Sequence, residues 1–313
     1  MVQSWLRRGG EGIVTETAAA DQTIAMLEVY VRERLRPHPL LNPCLATATH
    51  CVTGPEAFGA WDEQTPLQVT FILEEPIHAG IASALREKRL WHPGSDFRVL
   101  LPDREPFRRF PGAQLRLQTW SELAQEFRFE IAEAIWSWRH AAVGKDPHGR
   151  LEGELRRAEH RFAQRLEGLR CEHYYRFRRA RQDLLSPRLR PGHARTLLAI
   201  RRGEAVREAL RLAFLAEGRP YPPDPWLEWA AERETRAGER LLAAVHSLLA
   251  GRDPRDVDHA GKVLRDGVVQ ALQRGGVSAP WLEQWWTWPA IAPPPQEEPA
   301  GRLEAAKRAD ENR

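Results

Sequence analysis

The spacing of apolar residues changes once along this chain, close to residue 120, and that change restricts the fold more than any other feature. Before it, β-prone runs are short and separated by turn residues: 45–53, 67–74 (LQVTFILE), 97–101 (FRVLL) and 114–119, the last strictly alternating. Ile24, Leu27, Val31 and Leu35 give a helix over 20–36 that Pro37 to Pro43 stops, and a second helix is expected over 76–91. From Ser121 onward the period is helical. It predicts segments over 121–142, 151–185, 193–217, 226–249 and 256–273, with Ser121 capping the first and the turn GKDPHG (144–149) closing it. The fold class is therefore α+β: a small mixed sheet backed by helices, followed by an all-α helical bundle.

This pattern sets boundaries of a flexible lead over 1–19, a sheet-containing domain over 20–145, a helical domain over 146–288 and a mobile tail over 289–313. The tail is rich in Pro, Glu and Ala and has no apolar stripe to bury. No internal repeat of 20 to 50 residues is present.

Composition removes several classes of function. No run of about 18 apolar residues exists to cross a bilayer, and the N-terminal stretch lacks the apolar segment of a secretory signal, so a cytoplasmic protein is expected. Cys44, Cys51 and Cys171 suit neither a disulfide framework nor a zinc cluster and read as buried thiols. Lysine occurs only at positions 88, 145, 262 and 307, which leaves 42 of the 46 basic residues as arginine. Acidic residues, 43 in all, run through the chain almost as densely, so the arginines do not make a nucleic-acid signature.

The informative stretch is 52–75, VTGPEAFGAWDEQTPLQVTFILEE, in which a strand enters a Gly turn, about ten residues follow, and a second strand leaves. It resembles the nucleotidyltransferase fold, whose mark is a Gly-Ser turn, a spacer of that length, then Asp-x-Asp at a strand start. Gly54 stands at the glycine position, Gly59 and Asp62 fall in the spacer, and Thr65 stands for the usual serine. Residues i and i+2 of a strand point to one face about 6.5 Å apart, so two carboxylates there can hold a pair of Mg²⁺ ions, completed by a third from a neighbouring strand.

The resemblance places those two carboxylates at Pro66 and Gln68, and the third on the strand 114–118, which offers Arg116 and Gln118 but no acid. Pro55 replaces the phosphate-gripping serine and lacks an N–H. Glu74 lies about 20 Å along the strand from Gln68 at ~3.3 Å per residue, and the loop pair Asp62 and Glu63 does not by itself fix octahedral Mg²⁺ geometry. Two further segments, 135–151 and 214–229, are similar to bacterial nucleotidyltransferase-domain proteins with a helical C-terminal domain. Pro225 stands where such proteins commonly carry a lysine.

The expectation is a catalytically degenerate nucleotidyltransferase-like protein. Its cleft between the two domains would bind a nucleotide or small molecule in a regulatory role through Gly54, Pro55, Thr65, Gln68 and Arg116, with no metal and no cofactor. One alternative is an active enzyme that moves a nucleoside monophosphate to a small-molecule hydroxyl, in which case Mg²⁺ and a nucleoside triphosphate are its cofactors. Another is an interaction protein that docks a partner through a Trp-rich C-terminal helix carrying Trp281, Trp285, Trp286 and Trp288. Remaining motifs read as structural. His140, His148, His173 and His193 share no ligand spacing, Arg188/His193 and Arg240/His246 are pairs that composition supplies by chance, and 176–181 (RFRRAR) reads as a solvated helix face.

Overall fold

The computed structural model describes residues 12–60, 64–88, 97–99, 101–184, 195–278 and 280–287. The chain divides into two compact units, Met1–Gln164 with Arg219–Ala230, and Arg165–Gly218 with Ala231–Arg313. The fold is α+β, with the strands in the first unit. No helix among the described residues is long and apolar enough to cross a membrane.

The first unit opens with α1 (Gly12–Tyr30), whose last turn widens over Val31–Leu35 so that the Arg36 amide donates to the Val31 carbonyl at 2.8 Å. Five strands follow: β1 (Thr49–Val52), β2 (Leu67–Leu73), β3 (Phe97–Val99), β4 (Ala113–Thr119) and β5 (Ala142–Lys145), in the order β3-β4-β2-β1-β5. Only β2 and β4 run parallel, with α2 (Glu75–Glu87) in the connection between them. The strands alternate as their sequences do. Leu67, Val69, Phe71, Ala113, Leu115 and Leu117 turn to one face, where they share a core with Leu27, Tyr30, Leu35 and Leu85.

Two expectations change at the end of this unit. The helix expected over 121–142 is two helices, α3 (Trp120–Phe129) and α4 (Ile131–Arg139), separated by Glu130 at φ −114°, ψ 44°. Its cap is Thr119, not Ser121. The Thr119 hydroxyl accepts from the Glu122 amide at 3.1 Å while the Glu122 carboxylate accepts from the Thr119 amide at 2.7 Å. Ser121 instead donates its hydroxyl to Glu75 at 2.6 Å. The residues expected to form the helix end and turn pair with β1 as β5, and Lys145 Nζ reaches the carbonyls of Leu45 and Ala46 at 3.1 and 2.9 Å. Asp146 then starts α5 (Arg150–Leu184), accepting from the amides of Arg150 and Leu151 at 3.2 and 3.0 Å.

The second unit contains α6 (Arg195–Ala216), α8 (Gly238–Ala250) and α9 (Pro254–Arg274), which contact one another and bury Leu212, Leu241, Val245, Leu264 and Val268. The segment expected as one helix over 226–249 is α7 (Leu227–Glu234) and α8, separated where the Thr235 hydroxyl donates back to the Ala231 carbonyl at 2.8 Å. Inside this unit His173 Nδ1 lies 2.5 Å from Glu208 Oε2, with both side chains buried. Burial alone would raise the Glu208 carboxyl. The His173 hydrogen bond and the Arg211 and Arg207 charges outweigh it and hold the group below the usual carboxylate range.

Trp281, Trp285 and Trp286 do not lie on an α-helix. They lie on two single 3₁₀ turns, Pro280–Leu282 and Trp285–Thr287, because α5 side chains engage the segment: Trp281 Nε1 donates to Glu167 at 2.9 Å and the Tyr174 hydroxyl donates to the Leu282 carbonyl at 3.0 Å. Trp285 has the Arg178 guanidinium over its ring at 5.4 Å, and Trp286 is 61% exposed. The Arg-rich run of α5 is not uniformly solvated either, since Arg181 is buried and donates Nε to the Gly261 carbonyl at 2.9 Å. All three cysteines are free and buried. Trp288, Arg188, His193, most of the 1–19 lead and the whole 289–313 tail lie outside the described residues.

Candidate functional site

The sheet face opposite the apolar core is polar because β2 and β4 both alternate. Parallel pairing sets Gln68 beside Gln114, Thr70 beside Arg116 and Ile72 beside Gln118. Thr53, at the end of β1, shares a hydrogen bond with Thr70 between the two hydroxyls at 2.8 Å. This face floors a cleft with two lobes of about 940 Å³ and about 330 Å³, and both are lined by Thr53, Gln68, Thr70, Arg116, Glu126 and Glu130. The cleft belongs to the first unit alone. Pro223 and Trp226, from the helical half of the sequence, are part of that unit and line the smaller lobe.

Arg116 does not stand alone on the floor. Its Nη2 lies 2.5 Å from Glu126 Oε1, and the other Glu126 oxygen accepts from Trp138 Nε1 at 3.2 Å. α3 and α4 thus hold a carboxylate over the middle of the sheet, and the guanidinium folds onto it. Glu122, Glu126 and Glu130 follow one another at four-residue spacing and all line the larger lobe.

The Gly turn has two of its amides committed and lacks a third. Gly54 is extended and Pro55 opens a single 3₁₀ turn over Pro55–Phe58 that ends on Gly59 in the left-handed region at φ 76°. The Thr53 amide donates to the Gln68 carbonyl at 3.1 Å and the Ala57 amide to the Gly54 carbonyl at 2.9 Å. Pro55 has no amide hydrogen to give. A Cβ on Gly54 would lie 2.8 Å from Gln68 Cβ and 2.9 Å from Gln68 Oε1, so the Gln68 side chain is folded against the turn.

Of the residues singled out in the sequence, Gly54, Pro55, Gln68 and Arg116 all line the smaller lobe. Thr65, Pro66 and Gln118 line neither lobe. Gln118 sits beside Ile72, four residues beyond Gln68 along the parallel pair, 1% exposed, with both side-chain polar atoms buried and lacking a hydrogen-bond partner. The strand neighbour of Gln68 is Gln114. Glu74 is engaged with Arg150 at 2.6 Å, and Asp62 and Glu63 lie outside the described residues.

Mg²⁺ as the fold resemblance implies it does not fit this floor. The groups at the two central strands are amides, hydroxyls and a guanidinium, and among the described residues no three His, Cys, Asp or Glu side chains are grouped to hold a metal ion. The smaller lobe has in addition an aromatic wall that the sequence did not mark. Phe58 meets Trp136 and Trp226 edge-on at ring separations of 5.0 and 5.3 Å, and Trp136 stacks on His140 at 4.1 Å. These rings come from segments more than 70 residues apart, which no local pattern connects.

No protein-family model matches this chain, and no curated protein sequence matches it. Among solved structures, a nucleotidyltransferase-like protein from Exiguobacterium sibiricum 255-15 matches with a TM-score of 0.39 and 12% identity, over 80% of this chain and 77% of that one.

Proposed function

We propose that this chain is a catalytically degenerate nucleotidyltransferase-like protein that binds a small molecule in the cleft over β2 and β4, without nucleotidyl transfer by the two-metal route, and serves as a sensor of that molecule. The observation that carries this reading is the floor itself. The resemblance puts the paired carboxylates at Pro66 and Gln68, neither of them an acid, and the floor sets Gln68 beside Gln114 and Thr70 beside Arg116, which is ion-paired with Glu126. A concave site of this volume, lined by polar side chains such as Thr53, Gln68, Thr70, Gln114 and Arg116, has room for a polar small molecule.

Calorimetric titration of the four nucleoside triphosphates with and without Mg²⁺, together with an assay for pyrophosphate release, tests the reading. Binding that is indifferent to metal and weakened by Gln68→Ala or Arg116→Met supports it. Magnesium-dependent tight binding with release of pyrophosphate contradicts it and restores the enzyme.

A further inference from the structure

We infer that the smaller lobe of the cleft is a subsite for an organic cation, a protonated or quaternary amine with an apolar body. This assignment rests on the cleft being a small-molecule site and adds the chemical class of the ligand. Four aromatic side chains line the lobe: Phe58, Trp136, Trp138 and Trp226. Three carboxylates, Glu126, Glu130 and Glu133, join them, and Arg116 is the only cationic side chain in the lining. Arg116 and Glu126 are paired with each other at 2.5 Å, so the acid in excess of that pair is Glu130 and Glu133.

Aromatic faces attract a cation through the ring quadrupole, more strongly when it is desolvated, and nearby carboxylates add charge of the same preference. An anion meets the opposite. Pro55 offers no donor, the Thr53 and Ala57 amides are committed to main-chain carbonyls, and the charge of the lining is negative. The Trp138 Nε1 bond to Glu126, 3.2 Å long, ties the carboxylate to the aromatic wall, so the two recognition elements are positioned together rather than on separate mobile segments. At about 330 Å³ the lobe suits a single ammonium-bearing group and its immediate substituents.

The test is calorimetric titration of the full chain with choline and with 3,3-dimethyl-1-butanol, its uncharged isostere, so that shape is held and charge alone differs. Choline is expected to bind at least roughly tenfold more tightly than the alcohol. Glu130→Gln and Trp226→Leu are each expected to weaken choline about fivefold or more, with thermal melting used to confirm that each variant is folded. The comparison of the two probes on the unaltered protein stands even if a variant fails to fold. Equal affinity for choline and the alcohol, or choline binding unchanged in both folded variants, overturns the cation assignment. So does an absence of choline binding. If in that case a nucleotide binds without metal and depends on Arg116, the cleft remains a small-molecule site of another class, whereas magnesium-dependent pyrophosphate release removes the ligand-sensing reading itself.

Discussion

Gly54 and Gln68 are in such close contact that a single methyl group on the former would overlap the latter, at 2.8 Å from Cβ and 2.9 Å from Cδ. The need for glycine here comes from this approach and not from backbone conformation, since Gly54 is extended at φ −87°. The turn and the strand floor are thereby one packed unit. Gly54→Ala is expected to destabilise the first unit by about 1–3 kcal/mol, through overpacking against a strand that cannot move aside. Chemical denaturation of the single and double variants checks the origin of the cost. Adding Gln68→Ala removes the contacts to Cδ and Oε1 but leaves Cβ, so it should recover only part of the loss.

Arg116 is held by Glu126. Glu126→Gln keeps an acceptor for Trp138 Nε1 while removing the charge that Arg116 answers. Because the Arg116 side chain is about half exposed, the expected change in stability is under about 1 kcal/mol. Metal-independent ATP affinity should rise several-fold as the guanidinium becomes available, and calorimetry on the variant reads this directly.

The buried His173 and Glu208 pair in the second unit carries a different expectation. Glu208→Leu removes the buried carboxylate that His173, Arg207 and Arg211 approach and should cost about 3–5 kcal/mol. Glu208→Gln retains a hydrogen-bond acceptor at lower cost. Thermal melting of the two variants beside the parent protein should rank them in that order.

His50 makes stability depend on pH. Burial, and then the charge of Lys145, push its imidazole down to about 4 from the usual 6.5. Between those values the unfolded chain binds a proton that the folded chain refuses, so the contribution is fully present above about pH 6.5 and is lost as pH falls toward 4, a change of about 3 kcal/mol. His50 also stacks on Phe71 at 5.3 Å, which makes His50→Phe a packing-compatible control. Denaturation midpoints measured at intervals from pH 7 to pH 4 should slope less in that variant.

Much of the architecture was legible as periodicity. β2 and β4 show their alternation plainly, and α5, α6 and α9 stand within a few residues of where the 3.6-residue spacing places them. β5 was not legible because Ala142 to Lys145 carry no strand pattern of their own, and pairing with β1 supplies the reason for the strand. The Trp281 to Trp286 region reads as a helix from its spacing, yet hydrogen bonds to Glu167 and Tyr174 set two short turns there. At the cleft, Gly54, Pro55, Gln68 and Arg116 follow from a local motif and a strand register. Glu126, Trp138, Phe58 and Trp226 do not, because only tertiary packing brings them to the same lobe.

Binding of Mn²⁺ to the protein in the presence of a non-hydrolysable ATP analogue, followed by electron paramagnetic resonance, reaches the heart of this reading. The floor built by Gln68, Thr70, Gln114 and Arg116 should leave the Mn²⁺ signal that of the nucleotide complex free in solution, with no site of protein carboxylates. A spectrum showing the ion immobilised by protein ligands, abolished by Asp62→Asn or Glu63→Gln, would contradict it.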